Sequence, residues 1–249
     1  MNRKNIVIVG ATSAIAEHCA RQWAQGQEVD MTLIGRDLER LERIVRDLKV
    51  RSPNSDIRSM TADFLTPTAI QQTVDTALAG RTADIVLIAH GSLPDQDACQ
   101  NDLAAAHQAM EVNALSPTLY AEAFAAHMAR ANKGTLILIG SVAGDRGRKS
   151  NYVYGAAKGL VTSYAQGLQH RFAGTGVKVL LVKPGPTDTP MTAHLKRDGA
   201  QLAPVEDVAS EIVRAVSKGA TTLYTPRKWQ LIMMIIRHLP AVIFNKMNI

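Results

Sequence analysis

Four things are scarce in this 249-residue sequence. The first is cysteine: there are two, Cys19 and Cys99. They lie far apart and without metal-ligand spacing, which excludes a disulfide framework and points to reduced thiols in a cytoplasmic setting. The second is any low-complexity stretch, repeat or Pro/Ser-rich linker, so a single domain is expected. The third is a long apolar run. Met1-Asn2-Arg3-Lys4 followed by Ile6-Val7-Ile8-Val9 has the charge order of a signal sequence. The apolar part is far too short, however, and a glycine turn ends it, so it reads as a first strand. The fourth is acidic charge late in the chain, because nothing acidic follows Glu211. Arg214, Lys218, Arg227, Lys228, Arg237 and Lys246 account for the whole net charge of +6. The chain up to Glu211 is then formally neutral, which removes the main support for a nucleic-acid partner. The histidines show no ligand spacing, and no metal is expected.

What is present is alternation. Apolar strands are read at 5–10, 29–34, 57–62, 84–89, 135–140 and 177–183. Helices are read at 14–25, 38–50, 67–78 and 153–173, and one long Ala-rich helix at 102–131 carries Asn113 near its middle. Strands alternating with helices imply right-handed crossover units and a parallel sheet covered on both faces. The expected class is α/β, a Rossmann-type doubly wound parallel sheet over residues 1–225, followed by an apolar, basic helical tail at 226–249. Ligands bind such sheets at the carboxyl ends of the strands, where the polar candidates lie.

Tyr154 and Lys158 stand four apart, on one face of a helix, and Ser141 closes the apolar run 135–140. A strand-end hydroxyl beside a helix bearing Tyr and Lys is a constellation for moving one proton. A phenol titrates near pH ~10, and a neighbouring cation is expected to lower that value. The competing reading is a surface tyrosine one turn from a solvated lysine. Near the amino terminus, Gly10, Ala14 and Ala16 hold a G-x-x-x-G-x-G spacing between strand and helix. That spacing suits a tight turn, close approach of the backbone to a pyrophosphate, and helix-sheet packing, with the helix amino terminus facing the phosphates. The Ala14 methyl is a departure that crowds this approach. At the end of the second strand, Gly35 is followed by Arg36, which suits an adenosine 2′-phosphate. The alternative is an exposed arginine paired with Asp37 or Glu39. Asp63 faces the adenine edge or caps the next helix.

These residues together resemble the short-chain dehydrogenase/reductase family over about residues 5–225. The carrying strings are G-A-T-S-A-I-A from Gly10, A-D-F from Ala62, I-A-H-G ending at Gly91, V-N at Asn113, G-S-V-A-G around Ser141, Y-G-A-A-K from Tyr154 and P-G-P-T-D-T from Pro184. The resemblance implies NADP(H) as cofactor and reduction of a ketone. Tyr154 would be the general acid, Lys158 would hold the nicotinamide ribose and lower the phenol's pKa, and Ser141 would bond the reacting oxygen. Asn113 would keep a water in the proton relay. Cofactor contacts would come from Gly10, Thr12, Ser13, Ala14, Ile15, Arg36, Asp63, Phe64, Ala89, His90, Gly91, Tyr154, Lys158, Pro184, Gly185, Thr187 and Thr189, the two threonines orienting the carboxamide. Ala89-His90 replaces the family's usual Asn-Ala, and His90 reads equally as a packed strand-end residue or a functional one. Relatives commonly form dimers or tetramers through the helices around Asn113 and Tyr154.

In the tail, Trp229, Ile232, Met233 and Ile236 form a stripe that Leu231, Met234 and Ile235 widen. Basic residues flank it, and Pro240 ends or kinks the helix. Such a helix lies in a membrane interface, makes a subunit contact, or covers the substrate cleft. H-G-S-L-P-D-Q from His90 and Y-T-P-R-K-W-Q-L-I-M-M-I-I-R-H-L-P from Tyr224 are similar, more loosely, to bacterial reductases of a polyprenyl-phosphate-linked 2-keto-pentose. The expected substrate is therefore a lipid-linked ketone met at the membrane face. The alternatives are a soluble carbonyl or 3-oxoacyl reductase, or a non-catalytic dinucleotide-binding scaffold.

Overall fold

β-branched and aliphatic runs separated by amphipathic helices close into one seven-stranded sheet in the computed structural model, which describes residues 3–197 and 199–247. The strands are β1 Lys4–Val9, β2 Val29–Gly35, β3 Asp56–Thr61, β4 Ile85–Ile88, β5 Gly134–Ile139, β6 Val177–Pro184 and β7 Thr222–Thr225. All neighbouring pairs are parallel, in the order β3-β2-β1-β4-β5-β6-β7. The order reverses between β1 and β4, and that switch point is where such a sheet opens a crevice.

Both faces are covered, as the two-residue period of the strands requires. In β1, Ile6 and Ile8 join one core with α1 (Ala14–Ala24), α2 (Leu38–Arg51) and α9 (Val205–Ser217). Val7 and Val9 join the other with α3 (Pro67–Leu78), α6 (Ser116–Ala131) and α7 (Tyr152–Arg171). Between α3 and α6 lie α4 (Gln96–Asn101) and α5 (Leu103–Met110), and α8 (Ala193–Arg197) precedes α9.

The expected continuous helix at 102–131 is not regular. α5 and α6 are joined by a five-residue π segment, Glu111–Leu115, in which the Ser116 amide reaches back to the Glu111 carbonyl. Pro117 supplies the reason: it has no N–H to close an α-helical bond to the carbonyl of Asn113, so the ladder slips there. The widened turn holds Asn113 fully buried.

The tail is packed on the body. α10 (Lys228–His238) buries Met233 completely and half-buries Trp229, Ile232 and Ile236, so the sequence stripe is its inner face. Leu239-Pro240 breaks it from the short α11 (Ala241–Phe244). Arg146 fastens the break: its guanidinium donates to the carbonyls of Ile236 and Leu239 at 2.5 and 2.6 Å and lies 3.8 Å above the Phe244 ring. Leu231, Met234 and Ile235, more than half exposed, face outward with Val242 and Ile243.

Candidate active site

Every catalytic and cofactor-contact residue inferred from the sequence borders one cleft of about 600 Å³ at the carboxyl ends of the strands. At its far end, Gly10 turns the chain out of β1 with φ +79°, and its amide and that of Ala11 donate to the Ile34 carbonyl. A Cβ on Gly10 would lie 2.5 Å from the His90 amide nitrogen, so the missing side chain also admits the end of β4. Thr12, Ser13, Ala14 and Ile15 follow at the start of α1. Ser13 caps that helix without a side-chain hydrogen bond, leaving the first amides directed at the cleft.

Arg36 is exposed on the cleft wall, and among the described residues it makes no ion pair. Asp37, its candidate partner, instead accepts from the Arg40 amide as the cap of α2. Asp63 lines the cleft and folds the turn ahead of α3, whose cap is Thr66. Its carboxylate takes the Leu65 and Thr66 amides and the Thr66 hydroxyl, and these bonds, the hydroxyl first, hold its carboxyl below the usual range. Phe64 and Tyr120 pack against the His90 ring, with Phe64 edge-on at 4.8 Å. His90 Nε2 pairs with the Ser116 hydroxyl at 2.8 Å. Burial, then the charges of Lys158 and Arg36, pulls His90 down to about 3, so the ring is neutral. It is both a packed strand-end residue and a cleft wall.

At the near end stand Ser141, Tyr154 and Lys158. Ser141 stands two residues past β5 and accepts from the Ala143 amide at 3.1 Å, capping the short 3₁₀ turn Val142–Asp145. α7 brings Tyr154 and Lys158 onto the same wall, with the ammonium 5.8 Å from the phenol ring centre. Lys158 is 3 % exposed and donates to the Ile139 carbonyl at 3.0 Å. The expected drop in the phenol's pKa is not found. Desolvation pushes Tyr154 up to about 12, against a smaller opposing effect of the Ser141 hydrogen bond, and pulls Lys158 down to about 8. Loss of water is the leading cause for both groups.

Asn113 is held on all sides: its Oδ1 accepts the Ser92 amide at 2.9 Å, and its Nδ2 donates to the Ala109 carbonyl at 2.9 Å. Gly91 passes so close that a Cβ there would stand 2.9 Å from Asn113 Oδ1. Thr187 donates to the Gly185 carbonyl, Thr189 meets Thr192, and both threonines line the cleft with Pro184 and Gly185.

Sequence reasoning missed Arg40, Arg148 and Asn151 as cleft residues, and placed the tail helix with Trp229 over the cleft only as one of three alternatives. Trp229 reaches the cleft because Gly185 has no side chain; a Cβ there would lie 1.9 Å from the indole nitrogen. The one available signal was the spacing of Arg40, four beyond Arg36 and just inside a capped helix.

A family model described as short chain dehydrogenase matches residues 4–200. An oxidoreductase of Mycobacterium tuberculosis is 30 % identical over 245 residues, 97 % of this chain and 96 % of the relative. One from Streptomyces coelicolor is 28 % identical over 98 % of this chain and 96 % of its own length. Among solved structures, a short-chain dehydrogenase from Sphingobium yanoikuyae in complex with NADPH superposes with a TM-score of 0.81 at 21 % identity, covering 98 % of this chain and 96 % of that one. The order of strands, the Ser141, Tyr154 and Lys158 wall and the matched length agree: this chain belongs to the short-chain dehydrogenase family.

Proposed function

We propose that this protein reduces a ketone to a secondary alcohol with NADPH. The observation that carries this reading is the single cleft shared by the open start of α1, Arg36 and the Tyr154 wall. A dinucleotide phosphate fits those residues. The α1 amides would hold its pyrophosphate, Arg36 and Arg40 its 2′-phosphate, and Pro184, Gly185, Thr187 and Thr189 its carboxamide end. NADPH bound there supplies hydride to the carbonyl carbon. Tyr154, protonated throughout the physiological range, gives its proton to the carbonyl oxygen, and Ser141 donates a hydrogen bond to the same oxygen. Lys158 would hold the ribose hydroxyls and, as a cation, favours the phenolate that Tyr154 becomes once it has given up its proton. Asn113 fixes the Gly91-Ser92 segment beneath the reacting centre. NADPH consumption with a panel of ketones tests this reading, and no turnover with any of them would sink it.

For the substrate we favour a lipid-linked keto-sugar, such as a polyprenyl-phosphate-linked 2-keto-pentose, met at the cytoplasmic face of a membrane. The support is the outer face of the tail. Leu231, Met234, Ile235, Val242 and Ile243 are exposed there, with Arg227, Lys228, Arg237 and Lys246 around them and Trp229 reaching into the cleft. Among the described residues no helix is long and apolar enough to cross a membrane. A surface contact is the geometry such a face allows. Co-sedimentation with anionic vesicles should be lost in Leu231→Glu/Ile235→Glu; binding that survives the double substitution contradicts the membrane reading. A soluble reductase whose tail serves assembly is the alternative. Exposed Leu115, Leu119 and Leu160 on the α6–α7 side support a homo-oligomer in either case, which light scattering of the purified protein reads directly.

A further inference from the structure

The segment between Ser141 and Tyr154 carries three cations, Arg146, Arg148 and Lys149, and one carboxylate, Asp145. Two of the charged groups are fully engaged. Asp145 pairs with the buried ammonium of Lys183 and accepts from the Tyr224 hydroxyl at 2.8 Å. Arg146 holds the end of α10. Arg148 is different. Its Nε and Nη2 are shut off from solvent and have no hydrogen-bond partner among the described residues, yet the side chain lines the cleft. Asn151, three residues on, lines the same stretch of wall with its Oδ1 buried and likewise without a partner.

A half-buried guanidinium with two solvent-shielded, idle donors is costly, and a buried amide oxygen without a donor is too. Asn151 precedes α7 as its cap, one turn before Tyr154, and its amide donates to the Arg148 carbonyl, so both belong to the stretch of wall that leads into Tyr154. Resting on the reductase reading above, we propose that Arg148 and Asn151 form the substrate-recognition subsite of this cleft. Arg148 takes an oxyanion, phosphate ester or carboxylate, carried near the ketone, and Asn151 accepts from a neighbouring hydroxyl. The fork of two N–H groups matches two oxygens of such an anion. Desolvation already depresses the Arg148 pKa, and an anion arriving there relieves that penalty. The nearby Asp145 does not fill the role, because Lys183 and Tyr224 hold it. The substrate class is thus a hydroxylated ketone bearing an anion; a polyprenyl-phosphate keto-sugar and a free sugar phosphate share that chemistry.

The test uses the full chain with NADPH and three ketones: hydroxyacetone, dihydroxyacetone phosphate and acetoacetate. In Arg148→Gln, KM for the two charged ketones should rise about tenfold to a hundredfold, while kinetics with hydroxyacetone stay within about twofold and Arg148→Lys recovers part of the loss. Equal losses on all three ketones, or none, would overturn the proposal. Comparing dihydroxyacetone phosphate with acetoacetate tells a phosphate site from a carboxylate site. A second readout does not need turnover. Trp229 borders the cleft while Trp23 is buried in the core, so the indole signal reports occupancy. With NADP⁺ saturating, glycerol 3-phosphate should change that fluorescence far more strongly than glycerol, and Arg148→Gln should abolish the difference. If this difference is seen while no ketone turns over, the anion subsite stands and the reductase reading fails. If ketones turn over but phosphate makes no difference in either assay, the reverse holds.

Discussion

Removing the Asp145 carboxylate should be among the most damaging single changes available outside the catalytic wall. Asp145 and Lys183 are 2 % and 4 % exposed at their side chains and form an ion pair, with the Tyr224 hydroxyl as a second donor to the carboxylate. In Asp145→Ala the Lys183 ammonium stays buried without its counter-charge, a loss of about 3–5 kcal/mol for broken buried pairs. For a chain of this length each kcal/mol moves the melting temperature by about 2–4 °C, so a fall of about 6–20 °C is expected by circular dichroism. Asp145→Ala/Lys183→Met removes both charges and should recover most of that fall, since an apolar replacement of a buried pair is near neutral. Tyr224 is half-buried and its hydroxyl can then turn to water. A single variant within about 2 °C of the wild type would mean that the pair is solvated. A double variant that melts as low as the single would show that the packing of these side chains, not their charge, is what matters. The pair also joins the turn after Ser141 to the end of β6, so near its lowered melting temperature the single variant should lose kcat before NADPH binding.

Tyr154→Phe removes only the acidic proton and should slow ketone reduction about 10²- to 10⁴-fold with NADPH affinity kept; a rate near wild type would take the phenol out of the chemistry. Arg36→Ala should weaken NADPH about tenfold to a hundredfold and leave NADH unchanged, and equal effects on both would contradict a 2′-phosphate contact. Lys158 in the free protein is lowered to about 8, so it is charged below that pH and neutral above it. Because kcat/KM for NADPH reports the free enzyme, it should fall as pH rises through about 8, while Tyr154 at about 12 stays protonated. A profile flat to pH 10 would show that the ammonium is not needed for binding.

Most of the sheet was legible because each parallel strand is a continuous apolar run bounded by glycine, proline or a capping residue. Residues 67–78 were read to the residue, with Pro67 at the helix start. The break at Glu111–Leu115 was not, since its cause is one absent N–H at Pro117 inside a stretch of otherwise strong helix formers. The site residues carry motif spacing, so their convergence was readable. The ionisation of Tyr154 was not, because spacing reveals which charge is near but not how much water has been displaced. Arg148 and Asn151 lie in a segment without a motif, and only folding shows that their polar atoms are sealed against the cleft without partners.

The tail shows how far a local feature can depend on the body it leaves. Its inner stripe was visible as a period of 3.6, yet its placement is fixed by residues elsewhere. Gly185 lets Trp229 into the cleft, and Arg146, five residues after Ser141, holds the carbonyls at the end of α10. Both anchors belong to loops that build the active site. Deleting residues 226–249 would therefore free Arg146, open the cleft at Gly185 and uncover the surface that Met233 now occupies. Loss of membrane binding and loss of activity would then arrive together and could not be told apart. Charges placed at Leu231 and Ile235 avoid this, because both side chains are more than half exposed and neither contributes to the anchors. If the outer face only meets lipid, the double glutamate variant keeps its rate on a water-soluble ketone and loses the vesicle. Should it lose the rate as well, the outer face is coupled to the cleft, and the tail acts as part of the substrate site.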